Sequence, residues 1–457
     1  MCDYVGLTCF QFSRTDPSAA SACPTAPRIP ADYSTDTPAT PASAPATSRA
    51  PDSDAHNRTR SSNSRGHTAP TCCFPFWDWR VYWVNMKHSG DETYAPVLVA
   101  LILMFLTVSA CGEELHFAAP STVSTGSADT WGVVWHEVKG NPKLRGVQAL
   151  SWRAAGCTDP AFVRSPDGIL TMWFTTIGIR RDANGKFAAD GPWIGRARGP
   201  DTSSPDLTIT PEEPVISVGT VGSWDRYIET ISVLSDAKSE RYVAWYLGYS
   251  ARGGATGFVA PALGQMFSLD RAGTKWAHAT APIYRPSPGA WDGVLVTGPT
   301  VVQGPDKIWR LYYSGMGSAG GIGLLTSNDG VAWAANGNAP VLEVEPGKWD
   351  SQILEQTVIY AHAKYWLWYS GLDSPLSGKT KIAIGLATSE DGVHWSRHPN
   401  NPILCAGIKG SWDDSRVLAP DVIEEPDGSL LMCAYGQSKR DISENRSAGS
   451  IGFWRSR

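Results

Sequence analysis

Short apolar stretches separated by turn residues fill the last two thirds of the chain, and long amphipathic helical patterns are sparse there. Residues 365–371, for example, read Tyr-Trp-Leu-Trp-Tyr-Ser-Gly and end just before the next cluster of polar residues. Runs rich in aromatic residues and bounded by Gly, Asn and Asp are typical of β-strands. The pattern predicts an all-β domain over residues 131–457.

A repeated unit organises these predicted strands. Its two clearest copies, which begin at residues 323 and 385, combine a Ser-x-Asp-Gly turn with a Trp three residues later, and two aromatic or apolar strands come after a Trp-Asp pair. Successive Trp positions differ by 72, 67, 58 and 63 residues, which leaves room for about four short strands per unit. That is the size of one propeller blade, so five units predict a five-bladed β-propeller. The marker positions are Trp152-Arg153, Trp224-Asp225, Trp291-Asp292, Trp349-Asp350 and Trp412-Asp413.

The two ends of this region also fit one another. Residues 450–456 resemble the strand that precedes the Asp-Gly turn in other units, and residues 135–142 resemble the segment that comes after that turn. We therefore expect the two ends to complete one blade together and to leave no open sheet edge.

Most acids of the repeat are expected to be structural. Asp in an Asp-Gly sequence supports the tight turn at a hairpin tip. The Trp-Asp aspartates occur in most units, and a feature shared by most blades is more typical of scaffold than of chemistry.

A different set of acids breaks the repeat. We align the units at the start of the strand nearest the axis. Five residues then share one position: Asp159, Glu229, Gly298, Glu355 and Ala419. The alignment of Glu229 is open by one residue. Three of the five are acids, and carboxyl groups that converge on an axis suit glycoside cleavage, in which one protonates the leaving oxygen.

These motifs resemble the five-bladed propeller glycosidases, the arabinanase, β-xylosidase, invertase and levansucrase superfamily (glycoside hydrolase family 43 or 32 type). The likeness covers residues 131–457 and rests on Asp159-Pro, the Asp-Gly-x-x-Trp turns and the strand ends Tyr-Tyr-Ser-Gly and Trp-Tyr-Ser-Gly. The resemblance implies that Asp159 is the base or nucleophile and that Glu229 is a second acid.

One position departs from that family. The resemblance implies a general acid in a Glu-Gly-Pro sequence of blade three, where this chain has Thr297-Gly-Pro. Glu355, one blade later, is the nearest substitute as proton donor. Either the acid has moved to Glu355 or the domain has lost activity.

Four further side chains are candidates for contact with a substrate. Arg153, Arg226 and Arg416 flank the same strands and could orient a carboxylate or a hydroxyl, although a plain salt bridge is the commoner role. Trp173 lies on a blade strand and could stack on a sugar, although burial between blades is commoner.

The first 130 residues divide into three parts. Residues 1–85 are rich in Pro, Ser, Thr and Ala and are expected to be disordered, or to reflect a start assigned too far upstream. Residues 86–111 resemble a lipoprotein-type signal peptide, because an apolar segment shorter than the roughly 20 residues of a bilayer span ends at Val-Ser-Ala-Cys111. A signal-anchor helix is the alternative. Residues 112–130 are read as a linker.

These features set the expected partners. With a net charge of −5 and no basic stripe, nucleic acid is not an expected partner. We expect an exported monomer, lipid-anchored through Cys111 at the bacterial cell surface or outer membrane, that acts on a carbohydrate. No cofactor or metal is required, and a central structural cation such as calcium is left open.

The leading hypothesis is a glycoside hydrolase that cleaves a poly- or oligosaccharide. A non-catalytic carbohydrate-binding propeller, a cell-surface interaction propeller, and a transferase or phosphorylase of the same superfamily are the alternatives. The missing acid at Thr297 is the best argument for a non-catalytic domain.

Overall fold

The computed structural model describes residues 130–456 except for 147–150, 155, 165–168, 182, 186, 200–206, 237–239, 254–256, 376–379 and 440–448. Three predictions concern residues outside this described part: disorder in residues 1–85, the signal segment 86–111 with Cys111, and nearly all of the linker 112–130. No helix with the length and apolar character needed to span a bilayer occurs within the described part of the chain.

The described chain forms six antiparallel sheets: five are the blades, and the sixth is a two-stranded hairpin inserted in blade two. It begins with two short strands, β1 (His136–Glu137) and β2 (Leu144–Arg145). Blade one consists of β3 (Cys157–Arg164), β4 (Leu170–Arg181), β5 (Phe187–Gly199) and β6 (Thr208–Ile209). Blade two consists of β7 (Tyr227–Asp236), β8 (Arg241–Tyr249), β11 (Ala262–Ser268) and β12 (Trp276–His278), with an inserted hairpin of β9 (Ala251–Arg252) and β10 (Phe258–Val259).

The remaining three blades have the same order from the innermost strand outward. Blade three consists of β13 (Leu295–Gln303), β14 (Trp309–Met316), β15 (Gly320–Ser327), β16 (Ala334–Ala335) and β17 (Leu342–Glu343). Blade four consists of β18 (Gln352–Ala361), β19 (Lys364–Leu372), β20 (Ile382–Ser389) and β21 (Ser396–Arg397). Blade five consists of β22 (Arg416–Glu424), β23 (Leu430–Gln437) and β24 (Ser450–Ser456), completed by β1 and β2. The predicted five-bladed propeller is confirmed.

Blade five closes the ring as expected from the two chain ends. Strand β1 pairs with β24 in the register His136↔Arg455, and β2 pairs with the other end of the same strand. The innermost strands of consecutive blades contact one another, and β22 contacts β3. The indole N–H of Trp368 in blade four also donates to the carbonyl of Gly132, 2.9 Å away, which fastens the N-terminal segment to the neighbouring blade.

The Trp-Asp pairs are scaffold, as predicted. The ring of Trp349 lies over Gly371 and Gly385 of the adjacent strands, where an added Cβ would not fit. The Asp350 carboxylate is fully buried and accepts hydrogen bonds from the Tyr369 hydroxyl and the Arg397 guanidinium, at 3.0 and 2.8 Å. The pair thus joins three strands of its blade. Two other aspartates of the Trp-Asp pairs behave in the same way. Asp225 accepts a hydrogen bond from the Tyr246 hydroxyl, and Asp292 accepts hydrogen bonds from the hydroxyls of Tyr284 and Tyr313.

The Asp-Gly turns also have the structural role that the repeat predicts. Oδ1 of Asp391 accepts the backbone N–H groups of Val393 and His394, each at 2.8 Å. The carbonyl of Gly392 in the same turn accepts the hydroxyl of Tyr312 in the preceding blade, at 2.7 Å. Each such turn therefore stabilises its own hairpin and contacts the blade before it.

Every innermost strand is interrupted by a register shift at the level of the candidate acids. Four of the five shifts contain a residue with φ between 44° and 56°, namely Asp159, Thr230, Gly298 and Ala419. A bulge bends the strand and redirects one side chain. The repeated irregularity therefore presents a ring of residues to the axis.

Candidate active site

Two of the three candidate acids, Asp159 and Glu355, line a narrow cavity between the innermost strands; Glu229 is not part of its lining. The cavity has a volume of about 30 Å³, and its lining includes Asp159 and Glu355. A site of this size has room for about one or two water molecules between the carboxyl groups, and not for a sugar ring. Any sugar would have to lie above this floor.

Asp159 is held in blade one by hydroxyl groups. The Thr158 hydroxyl donates to its Oδ1 at 2.8 Å, and Thr175 on the next strand also bonds the carboxyl. Desolvation raises the pKa of Asp159 to about 6, and the two hydroxyl groups oppose this rise because they stabilise the ionised form. At neutral pH Asp159 is therefore mostly a carboxylate.

Glu229 lies in blade two beside a buried tyrosine. The Tyr249 hydroxyl donates to Oε1 of Glu229. Desolvation raises the pKa of Glu229 to about 7, the negative charge of Asp159 adds to the rise, and Tyr249 and the positive charge of Arg252 oppose it. Glu229 is thus near its titration midpoint at neutral pH.

Glu355 is the least stabilised as an anion. Its pKa lies well above the ordinary value, first because of desolvation and then because Asp159 and Glu229 place negative charge nearby. Its Oε2 is buried and has no hydrogen-bond partner. Both effects favour the protonated form of Glu355.

Glycine in blade three makes room for Glu355. Gly298 has φ +56°, and a Cβ added there would lie 2.9 Å from the Glu355 Cα and 3.3 Å from its Cγ. Its neighbour Thr297 occupies the place of the expected third acid and meets the Thr230 hydroxyl at 3.2 Å. The structure thus has no carboxyl at Thr297 and brings Glu355 against the backbone of that same blade.

The structure corrects the alignment of blade two. Thr230, with φ +47°, occupies the place of Asp159, Gly298 and Ala419, and Glu229 stands one residue earlier. In register, Glu229 corresponds to Thr297 of blade three. Sequence alone left this position open by one residue because Thr230 is not followed by the Pro that marks the bulges of blades one, three and five.

A fourth axial acid was missed. Asp421 in blade five also lines the cavity, and desolvation raises its pKa to about 6. Its carboxyl accepts the Phe162 backbone N–H at 2.7 Å and the Thr357 hydroxyl at 3.0 Å. These partners belong to blades one and four, so Asp421 joins both neighbours of blade five. The Pro-Asp sequence at 420–421 was the available signal.

The predicted substrate-binding residues separate into two groups. Trp173 is fully buried between blades one and two, where its indole N–H donates to the Gly273 carbonyl at 2.9 Å. Arg416 is also fully buried. Neither presents a surface to a ligand, which corrects the hypothesis of substrate contact for both. Arg153 and Arg226 are partly buried.

No group of three or more His, Cys, Asp or Glu side chains within the described ranges is arranged to hold a metal ion. A central cation stays a prediction. The thiols of Cys157 and Cys433 are free and buried, and burial raises the pKa of Cys157 to about 12. Neither thiol is suited to act as a nucleophile, which leaves the axial carboxyls as the candidate chemistry.

No family model and no curated protein matches the sequence. Among solved structures, an N-acetylgalactosamine deacetylase from F. plautii, in complex with blood group B trisaccharide, is 16% identical; the match covers 70% of this chain and 95% of that chain, with a TM-score of 0.53. A glycosyl hydrolase from Bacteroides ovatus is 14% identical over 70% and 92% of the two chains, with a TM-score of 0.51.

A third match comes from a study of glycoside hydrolase family 130, mannoside phosphorylases that include hydrolases targeting β-1,2-mannosidic linkages in Candida mannan. It is 16% identical over 72% of this chain and 95% of that chain, with a TM-score of 0.50. At these identities the similarity shows a shared fold, which agrees with the propeller predicted from the repeat.

Proposed function

We propose that the protein is a glycoside hydrolase in which Glu355 is the general acid and Asp159 the base or nucleophile. The observation that carries the proposal is the difference between the two carboxyls. They line one cavity, yet Asp159 is stabilised as an anion by hydroxyl groups while Glu355 is desolvated between negative charges. Paired carboxyls with separated pKa values are what acid–base cleavage of a glycosidic bond requires.

Glu355 would protonate the leaving oxygen. Its buried Oε2 has no competing hydrogen bond, so its proton is not committed to another protein group. Asp159 would then either activate a water molecule or attack the anomeric carbon itself. In both cases one proton leaves Glu355 as the glycosidic bond breaks.

Glu229 would set the acidity of Glu355. Its charge raises the pKa of Glu355. The Tyr249 hydroxyl, itself fully buried, orients the Glu229 carboxyl from the neighbouring strand. Glu229 is therefore assigned as a positioning and charge-tuning residue, whereas Asp159 and Glu355 act on the sugar.

The comparisons support a carbohydrate substrate. Two proteins that share the fold are named for cleavage or phosphorolysis of glycosidic bonds, and a third was solved with a trisaccharide. The axial carboxyls favour hydrolysis over simple binding, because a binding propeller needs no pair with opposed protonation states.

The test measures sugar release by the full-length protein from arabinan, xylan, fructan, mannan and aryl glycosides. Wild type should release sugar from at least one, and Asp159→Asn and Glu355→Gln should each abolish most of it. Glu240→Gln is the matched control, because Glu240 pairs with Arg271 on the exposed surface. The anomer formed first, read by NMR, separates a nucleophilic Asp159 from a general base. Folded wild type that releases no sugar from any substrate would contradict the proposal. Folded wild type that binds one of these sugars but releases none would favour the non-catalytic alternative.

We also propose export and lipid anchoring through Cys111, which the Val-Ser-Ala-Cys sequence after an apolar segment supports. Growth of a bacterial host with an alkyne-labelled fatty acid should label the protein, and Cys111→Ser should remove the label and release the protein from membranes. Equal labelling of wild type and Cys111→Ser would overturn the assignment.

A further inference from the structure

Two arginines lie against one tyrosine beside Glu229. The rings of Tyr227 and Tyr249 stack with centroids 5.2 Å apart and planes 18° from parallel, and the Tyr249 hydroxyl contacts Glu229. The guanidinium carbons of Arg226 and Arg252 each lie 5.2 Å from the centre of the Tyr227 ring. This group of side chains therefore extends from the catalytic acids to two positive charges.

Blades one and two, which carry Asp159 and Glu229, both contribute to this group of side chains. Arg252 ends β9 of the inserted hairpin, and its guanidinium donates to the carbonyl of Gly191 in β5 of blade one. Phe258 in β10 packs edge-on against Tyr249, with centroids 4.8 Å apart. The insertion thus fixes Arg252 over the Glu229 side of the axis.

Neither of these two arginines is paired with a carboxylate. Within the part of the chain that the structure describes, neither guanidinium lies within 4.0 Å of a carboxylate oxygen, although Arg252 also hydrogen-bonds Tyr249. Other arginines do have a carboxylate at that distance, among them Arg164, Arg271, Arg310 and Arg397. Arg252 lowers the pKa of Glu229 through its charge but makes no ion pair with it.

A stacking role alone does not account for this arrangement. One cation over a tyrosine is favourable, but a second cation against the same ring adds repulsion between like charges. An anion bound between the two would remove that repulsion. The planar fork of a guanidinium matches the two oxygens of a carboxylate, and its partly buried position strengthens the pairing.

We propose that Arg226, Arg252 and Tyr227 form a subsite for the carboxylate of a uronic acid residue in the substrate. The inference rests on the proposed function for its location, since the subsite adjoins the acid pair through Tyr249 and Glu229. It assigns the substrate class as acidic oligosaccharides, with the charged sugar on the blade one and blade two side of the scissile bond. Tyr227 supplies an aromatic face beside the two charges.

The first measurement needs no substitution in the subsite. Calorimetry on full-length protein compares short oligosaccharides that contain glucuronate or galacturonate with their carboxyl-reduced counterparts and with a sulfated galactose oligosaccharide. At least one uronate compound should bind about tenfold or more tightly than its reduced form, with an affinity that falls as salt rises. Equal affinity within both uronate pairs, or tighter binding of the sulfated compound than of either uronate, overturns the proposal.

The second measurement uses Arg226→Gln, Arg252→Gln and the double variant, with Arg271→Gln as the matched surface control. The subsite variants should each lose most of the preference for the uronate form, measured as the ratio of the affinities of one variant for the uronate compound and for its reduced form. Thermal unfolding checks that each variant is folded. A preference retained in the double variant overturns the proposal. Both measurements report binding and need no turnover. Absence of hydrolysis would therefore count against the proposed function, whereas the subsite is tested by the binding data alone.

Discussion

The aspartates of the Trp-Asp pairs and the carboxyls on the axis are the same chemical group in opposite surroundings. Asp350 is fully buried yet receives a tyrosine hydroxyl and an arginine, and Asp292 receives two tyrosine hydroxyls. Within the described residues, Oδ1 of Asp350, Oδ1 of Asp292 and Oε2 of Glu355 all lack a hydrogen-bond partner. Glu355 differs because two other acids lie nearby and no hydrogen bond opposes the rise in its pKa. Burial alone therefore does not separate structural from reactive carboxyls in this propeller.

What separates them is whether the surroundings stabilise the charged form. A buried carboxylate with charged or hydroxyl donors stays ionised and holds strands together, whereas one among like charges takes up a proton. The repeat places the first kind in most blades and the second kind only where blades differ. Changes at the two kinds of position should accordingly affect different properties.

The largest expected effect is on activity at the axis. Glu355→Gln keeps the shape but removes the proton donor, so kcat/KM on a substrate with a poor leaving group should fall by about 10²–10⁴. The melting temperature should not fall, because a crowded acid is replaced by a neutral group. Steady-state kinetics gives the first quantity and thermal unfolding gives the second. A large drop in melting temperature with unchanged activity would show that Glu355 is a structural carboxyl and not a reactive one.

Asp350→Ala should show the opposite behaviour. It leaves Arg397 and the Tyr369 hydroxyl without their buried acceptor, and the free energy of unfolding should fall by about 2–3 kcal/mol. Activity per folded molecule should stay near wild type, since Asp350 does not line the axial cavity. Chemical denaturation gives the first quantity. An activity loss without loss of stability would show that the Trp-Asp aspartates are not merely scaffold.

Gly298→Ala should affect both properties. Its φ of +56° disfavours alanine, and the new Cβ would lie 2.9 Å from the Glu355 Cα. We expect a loss of about 1–3 kcal/mol in the free energy of unfolding together with reduced kcat, as Glu355 is displaced. Gly337→Ala is the matched control, because Gly337 has φ +84° with no atom within 4 Å of the added Cβ. Equal kcat losses in the two variants would mean that contact with Glu355 is not the cause.

The smallest predicted change is a shift in pH dependence. Asp159 must be ionised and Glu355 protonated, so kcat/KM should rise as pH passes about 6 and fall as pH passes the raised pKa of Glu355. Glu229→Gln removes a negative charge that raises that pKa, so the alkaline limb should move to lower pH. The acid limb should stay in place. A shift of the alkaline limb to higher pH would show that Glu229 does not tune Glu355 in this way.

Much of the fold was readable from the repeat, because Trp-Asp pairs and Asp-Gly turns have local causes. Strands such as β24 (Ser450–Ser456) were predicted with their observed bounds. The site was only partly readable. Asp159 and Glu355 broke the repeat, but the displacement of Glu229 by one residue depends on a bulge that the residue types do not mark.

The contacts between blades were beyond the sequence. Arg252 lies in a two-residue strand of an inserted hairpin, and only the folded chain brings it to Tyr227. For Trp173 the sequence leaves both stacking on a sugar and burial between blades open, because alternation along a strand does not say whether a face contacts another blade or the axis. Asp421 was missed because its partners, Phe162 and Thr357, are far away in the chain.

The protonation state of Glu355 at pH 7 is the most direct test of the account. An infrared difference spectrum between wild type and Glu355→Gln reports that carboxyl without any substrate. The account predicts a carboxylic acid C=O band that is present in wild type and absent in the variant. It predicts no such band in the difference between wild type and Asp225→Asn, because hydrogen bonds from His278 and Tyr246 lower the pKa of Asp225. A Glu355 difference that contains only carboxylate bands would contradict the assignment of Glu355 as the proton donor.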